Sequence, residues 1–386
     1  MANTEVPPLE LALQKARSRP DFLDLCDSRF HQNGFKPPFS IIENAFEAYR
    51  EQSCYQPDSR GRETTRARIA SFYGELGFTV SPADVLLTAG SSESYDRLFR
   101  LFCSPEGIVA LPRPGYPLFE HLVEGNQRHF VFYDLDFSND WQIDPDSLIR
   151  IKKADLIVLI SPNNPTGACL NEKSLGHVRG FCRRTGASWI SDEVFDLFVP
   201  QGQTLLRPGA VLRDLPGFTI NGISKRFACP EWKLSWIVIS GPEKIRNERS
   251  ERLEFANDLY LSATSFSQFL GARLFDGLGA FQEEMVGVVQ ENRAILAAWV
   301  AKQPKVAAHC HLGGIYVPLR LAKESEDDEQ FSIFALEQEK LLVHPGYYYE
   351  FPQKELWIVV SLLKQPADFK EGLTRLQRLI ESPARF

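Results

Sequence analysis

Between residues 85 and 240 short apolar runs alternate with longer stretches whose apolar positions recur three or four residues apart. Val85 to Leu87, Ile108 to Leu111, Leu156 to Ser161, Ala187 to Ser191, Phe218 to Ile220 and Trp236 to Ser240 read as strands, each followed by a polar, glycine- or proline-rich turn. Helical spacing governs Leu9 to Ala16, Ile41 to Tyr49, Thr65 to Tyr73 and the stretch in which Tyr95, Leu98, Phe99 and Phe102 recur. Apolar strands separated by helices predict an α/β chain with a mostly parallel sheet flanked by helices. Beyond Gly241 the pattern turns helical from Ile245 through Val300, with breaks near Ser262 to Ser265 and at Gly277 to Gly279. Then come Gly313 to Val317, a strand-like Leu356 to Leu362, and a last helix using Phe369, Leu373, Leu376 and Ile380. The expected division is a large domain over 45–275 and a smaller α/β domain assembled from 1–44 and 276–386. Arg29 to Pro38 reads as irregular, and the acidic run Glu324 to Glu329 as a solvated loop.

In open parallel sheets ligands bind beyond the carboxyl ends of the strands. Tyr116, Asn164, Asp192 and Lys225 all fall in turns at such ends, so one site can receive all four. A lysine at the end of a buried strand is costly to keep charged, its pKa falls, and it becomes suited to Schiff-base chemistry with an aldehyde. The same residue in an ordinary loop is a surface lysine. The turn Thr88-Ala89-Gly90-Ser91-Ser92 between strand and helix has the layout of a phosphate site, because free N–H groups, the helix dipole and two hydroxyls converge there. A plain helix cap by Ser91 or Ser92 accounts for the same residues and is the favoured reading of this turn taken alone, because serine is preferred at helix N-caps in any protein.

Composition narrows the class. The chain has 386 residues, 43 Lys and Arg against 50 Asp and Glu, and a formal net charge of −7, which argues against a nucleic-acid or polyanion partner. Its seven cysteines (Cys26, Cys54, Cys103, Cys169, Cys182, Cys229 and Cys310) are scattered, with no C-x-x-C pair, so no zinc site or disulfide framework is suggested and a reducing cytoplasm is expected. The N-terminus does not read as a signal peptide, and no apolar run approaches the roughly 20 residues of a membrane span.

Taken in order, Tyr55 to Gly61, Gly90-Ser91-Ser92, Pro114-Gly115-Tyr116-Pro117, Asn163-Asn164-Pro165-Thr166-Gly167, Asp192-Glu193-Val194-Phe195 and Ser224-Lys225 resemble the class I/II aminotransferases, pyridoxal 5'-phosphate enzymes of fold type I. The resemblance implies that Lys225 forms the Schiff base and moves the substrate proton, and that Asp192 pairs with the pyridine nitrogen. It further implies that Asn164 bonds the phenolic oxygen, that Tyr116 stacks on the ring, and that Gly90, Ser91, Ser92, Ser224 and Lys233 hold the phosphate. Tyr55 would reach the phosphate of a neighbouring subunit, which makes a homodimer the expected assembly. The implied reaction is a two-stage amino exchange on an amino acid or related amine; an elimination or cyclisation on the same cofactor is the rival.

Four positions depart from the family pattern. Phe195 stands where many relatives have a tyrosine that donates to the phenolic oxygen, Lys233 where an arginine grips the phosphate, and Gly222 where a hydroxyl is often found. Val359 falls where an arginine usually binds the substrate carboxylate, which leaves Arg29 or Lys364 as substitutes, or a substrate without that carboxylate.

Overall fold

A computed structural model of the chain describes residues 6–52, 56–200, 202–322 and 327–382. Fourteen strands are numbered in chain order: β1 Leu23–Asp24, β2 Val85–Thr88, β3 Ile108–Arg113, β4 His129–Asp136, β5 Gln142–Ile143, β6 Leu156–Ile160, β7 Ser188–Asp192, β8 Gly217–Gly222, β9 Ser235–Ser240, β10 Val306–Ala307, β11 Tyr316–Leu321, β12 Leu341–Leu342, β13 His344–Pro345 and β14 Leu356–Ser361. Eight of them form one sheet in the order β2-β9-β8-β7-β6-β3-β4-β5.

From β8 through β7, β6 and β3 to β4 every pairing is parallel. The run Trp236 to Ser240 departs from the expected parallel arrangement: β9 lies antiparallel between β8 and β2. β4 is absent from the sequence reading. Its Phe130-Val131-Phe132-Tyr133 core lacks clean alternation, because the strand lies near the sheet edge, where only two-residue β5 covers it, and most of its side chains are half-buried.

Both faces of the central strands are covered, and successive residues go to opposite sides. Val109, Leu111, Val158, Ile160, Ile190, Phe218 and Ile220 pack on one face with Leu98 and Phe99 of helix Ser91–Phe102. Ala110, Ile157, Leu159, Trp189 and Trp236 point to the other. This double burial is why the strands read as unbroken apolar runs.

A second sheet, β10-β11-β14-β13, is antiparallel, and N-terminal β1 pairs in parallel with β12. Helices Glu243–Asp258, Ser265–Gly277 and Gly279–Val300 interrupt where the sequence breaks them. Of the acidic run Glu324 to Glu329, residues 324–326 lie outside the described residues, and the rest needs correction: Asp327 caps a helix, its Oδ1 accepting from the Gln330 N–H at 2.9 Å, and Asp328 and Glu329 form the first turn, where carboxylates suit the helix dipole. The two sheets meet at backbone level. Gly313 N–H donates to the Gly167 carbonyl at 2.7 Å, and a Cβ on Gly167, at φ 76°, would lie 2.1 Å from Gly313 O. Only glycine permits that approach.

Candidate active site

The turns after β2, β3, β6, β7 and β8 surround a cavity of about 330 Å³, lined by Ser91, Ser92, Tyr116, Asn164, Asp192 and Lys225 among others. Six side chains drawn from five separate turns of the chain are thereby brought to one place. Burial pushes the Lys225 amine below its ordinary pKa, and the charge of Asp192 opposes that shift without cancelling it. The Nζ atom lies 5.7 Å from the centroid of Phe30 and 5.8 Å from that of Phe195.

Asp192 ends β7 with 6% of its surface exposed. Burial pushes its carboxyl up to about 6, against the pull of the Val194 N–H, the Tyr95 hydroxyl and Lys225. The N–H of Val194 donates to Oδ1 at 3.0 Å and the Tyr95 hydroxyl to Oδ2 at 2.8 Å. Its neighbour Glu193, which burial likewise pushes up, is bound by Arg207, which with Arg226 also grips Asp196 at 3.1 and 2.7 Å. That buried network holds the strand end in place. Asn164 is 8% exposed, and its amide oxygen has no hydrogen-bond partner within the described chain. Such an orphaned acceptor costs about 1–3 kcal/mol unless a ligand satisfies it.

At the helix start the serine-cap reading does not hold: Gly90, at φ 116°, is the N-cap, and Ser91 and Ser92 occupy the first turn with no side-chain cap bond. The Ala89 N–H is instead met by Glu93 Oε2 at 2.5 Å. First-turn N–H groups are left for a ligand. Lys233 holds a left-handed backbone at φ 46°, and its Nζ lies 3.6 Å from where a Cβ on Gly90 would be. Ser224 belongs to the single helical turn Ile223–Arg226 that carries Lys225. At Gly222 the missing hydroxyl has a steric reason, since a Cβ there would meet Ser235 Oγ at 2.3 Å. Phe195 packs edge-on to Tyr316 at 6.4 Å.

Arg29 is not brought into this cavity. Its guanidinium is held by Asp27, Nε to Oδ1 at 2.7 Å and Nη2 to Oδ2 at 3.1 Å, and 59% of the side chain is exposed in a neighbouring groove. Lys364 leans on the same Asp27 at 3.7 Å. Val359 is fully buried in β14 opposite Pro318 and His344. Tyr55 lies outside the described residues. The sequence reading missed Ser28, Tyr316, His344 and Tyr348, which also line the cavity, and the bond from Tyr95 to Asp192. Only the aromatic run Tyr347-Tyr348-Tyr349 offered a signal; Tyr95 showed nothing beyond core spacing.

Residues 20–376 match the family described as aminotransferase class I and II. The chain belongs to the class I and II aminotransferases. Members of that family depend on pyridoxal phosphate. Nicotianamine aminotransferase B of Hordeum vulgare is 27% identical over 338 residues, covering 84% of this chain but only 60% of the barley protein. The glutamate-pyruvate aminotransferase AlaA of Escherichia coli K12 is 26% identical over 356 residues, 90% of this chain and 87% of that protein. Among solved aminotransferase structures, alanine aminotransferase from Pyrococcus furiosus superposes with a TM-score of 0.89 at 23% identity, over 97% of this chain and 96% of its own. That likeness establishes the fold-type-I architecture. Among the described residues no helix is long and apolar enough to cross a membrane.

Proposed function

We propose that this aminotransferase moves an amino group from an amino acid or related amine to an acceptor in two half-reactions, with Lys225 transferring the proton at the substrate carbon. The observation that carries the reading is the meeting of a buried, pKa-lowered amine, a buried carboxylate and an unpartnered amide oxygen around one cavity. The residues present fit pyridoxal phosphate. Asn164 has an unfilled acceptor, and Asp192 is a buried anion in need of a cationic partner. The first turn at Ser91 and Ser92, with Lys233 beside it, is a cradle for a phosphate.

When bound, the cofactor supplies an aldehyde that captures the amino group and a protonated ring that withdraws electrons from the adjacent carbon. Lys225, favoured in its neutral form by burial, accepts a proton from that carbon and returns it to the neighbouring position. Asp192, ionised above about pH 6, keeps the ring nitrogen protonated. Tyr95 and the Val194 N–H orient Asp192. Tyr116 would hold the ring, and Ser91, Ser92, Gly90, Ser224 and Lys233 would hold the phosphate. Tyr316, His344 and Tyr348 face the substrate and limit water.

The proposal includes a homodimer in which Tyr55 of each copy completes the other's phosphate site, with a large domain over 45–275 and a small one from 1–44 and 276–386. The apolar surface at Phe39, Phe46, Phe255, Leu259 and Tyr260, each more than half exposed, supports a covered face. A cytoplasmic setting is supported by the free state of the six described cysteines.

Mixing the cofactor-loaded protein with an amino donor and no acceptor tests the reaction. Transamination leaves the amino group on the bound cofactor, with an equal amount of keto product and no ammonia. Free ammonia without that accumulation refutes transamination and favours elimination. Lys225→Ala is expected to lose about 10²- to 10⁴-fold in rate.

A further inference from the structure

Away from the cavity, Asp140, His309 and His311 bring three ligand atoms within 4.8 Å of one another. Asp140 Oδ1 lies 3.1 Å from His309 Nδ1 and 3.2 Å from His311 Nε2. The protons decide what this arrangement means. His309 Nε2 is 2.7 Å from the Phe137 carbonyl, and a carbonyl only accepts, so Nε2 carries the ring proton. In a neutral ring Nδ1 then presents a lone pair to a carboxylate oxygen. Two lone pairs at that distance repel unless a cation stands between them.

The local fold holds the donors in place. Asp140 and Trp141 both have left-handed backbones, at φ 51° and 57°, a costly pair of conformations for residues other than glycine. Trp141 is buried against Phe137 and Trp357, with centroids 5.2 and 5.3 Å away, which leaves Asp140 turned outward to the two histidines. The His309 ring packs on Phe137 at 4.5 Å, so its orientation is set by stacking as well as by the carbonyl bond. A backbone carbonyl on the far nitrogen is what metal-binding histidines ordinarily have. Donors about 2.0–2.1 Å from a tetrahedral zinc ion stand about 3.3 Å apart, and the two distances here fall just short of that.

We propose that Asp140, His309 and His311 bind a divalent transition-metal cation of the zinc type, with water in the fourth position, and thereby tie the loop after β4 of the large sheet to the segment between β10 and β11 of the small one. The donor set of two imidazoles and a carboxylate suits zinc, nickel or cobalt in preference to calcium or magnesium. None of the three residues lines the Lys225 cavity. The cysteine spacing, from which no zinc site was expected, gave no hint of it.

Tag-free, cofactor-loaded, metal-stripped protein titrated calorimetrically with Zn²⁺ at pH 8 is expected to bind one equivalent, with a raised thermal midpoint. His311→Gln and Asp140→Asn, both at exposed positions, are expected to weaken binding by about 100-fold or more while leaving the metal-free midpoint unchanged. Cys310→Ser is expected to change nothing. Co²⁺ should give a visible spectrum without thiolate charge transfer. No saturable equivalent in the wild type would mean that the cluster is held by protons alone and would overturn the proposal, as would equal binding in the variants.

Discussion

Replacing Tyr95 by phenylalanine removes the 2.8 Å hydrogen bond to Asp192 Oδ2 and little else, because the ring stays packed on Phe99 and Phe119 at 5.6 and 4.7 Å. A hydrogen bond to an ionised group is worth about 1.5–3 kcal/mol and one to a neutral group about 0.5–1.5, so the ionised carboxylate loses about 1–1.5 kcal/mol more than the acid. At 1.36 kcal/mol per unit, the Asp192 pKa rises by about one unit from its value of about 6. If only the ionised form pairs with the cofactor, affinity falls as pH drops through this pKa. Relative to wild type, the variant should bind pyridoxal phosphate about fivefold more weakly at pH 6, about twofold at pH 7 and equally at pH 9. The assay is fluorescence titration of the apo-protein across that range. Ionisations of the cofactor are common to both proteins and cancel in the comparison. A deficit that stays constant with pH would show that Tyr95 acts by shape alone and would refute the electrostatic reasoning.

Asn164→Ala removes the orphaned amide, so the apo-protein's urea midpoint should hold or rise, while cofactor affinity falls about tenfold to a hundredfold; apo destabilisation beyond about 1 kcal/mol would contradict this. In Gly222→Ala the new Cβ would press on Ser235 Oγ, with an expected loss of about 1–3 kcal/mol in chemical denaturation. Combining it with Ser235→Ala should recover part of that loss, and simple additivity would argue against the clash. Arg29→Ala should change KM for amino donors by less than about twofold, because the guanidinium is committed to Asp27, and should lower stability by about 1–3 kcal/mol at neutral pH, because the buried Asp27 carboxylate loses its charge-assisted hydrogen bonds. A tenfold rise in KM in steady-state kinetics would instead place the guanidinium on the substrate.

The strand-end part of the cavity wall was legible because its residues sit in turns, each immediately after an apolar run. Turn position is set by local sequence, and the carboxyl ends of parallel strands share one edge, so Tyr116, Asn164, Asp192 and Lys225 could be grouped before any coordinates. The rest of the wall was not. Ser28, Tyr316, His344 and Tyr348 come from segments up to 320 positions apart (348 − 28), joined by β1 on β12 and by β13 on β14. No local periodicity encodes such pairings, and a tyrosine in a core-spaced helix, like Tyr95, looks the same whether its hydroxyl is idle or holds a carboxylate. Arg29 shows the converse: its charge suggested a carboxylate partner, and the fold supplied Asp27.

Burial periodicity and turn chemistry are properties of neighbouring residues, and they determined the α/β class, most strand positions and the lysine turn. Tertiary structure alone decided which groups lost water and which partner each one met. The pKa of Asp192, the neutrality favoured at Lys225, the steric reason for Gly222 and the convergence of Asp140 with His309 and His311 all arise from that choice, since desolvation and hydrogen-bond pairing depend on residues far apart in the chain.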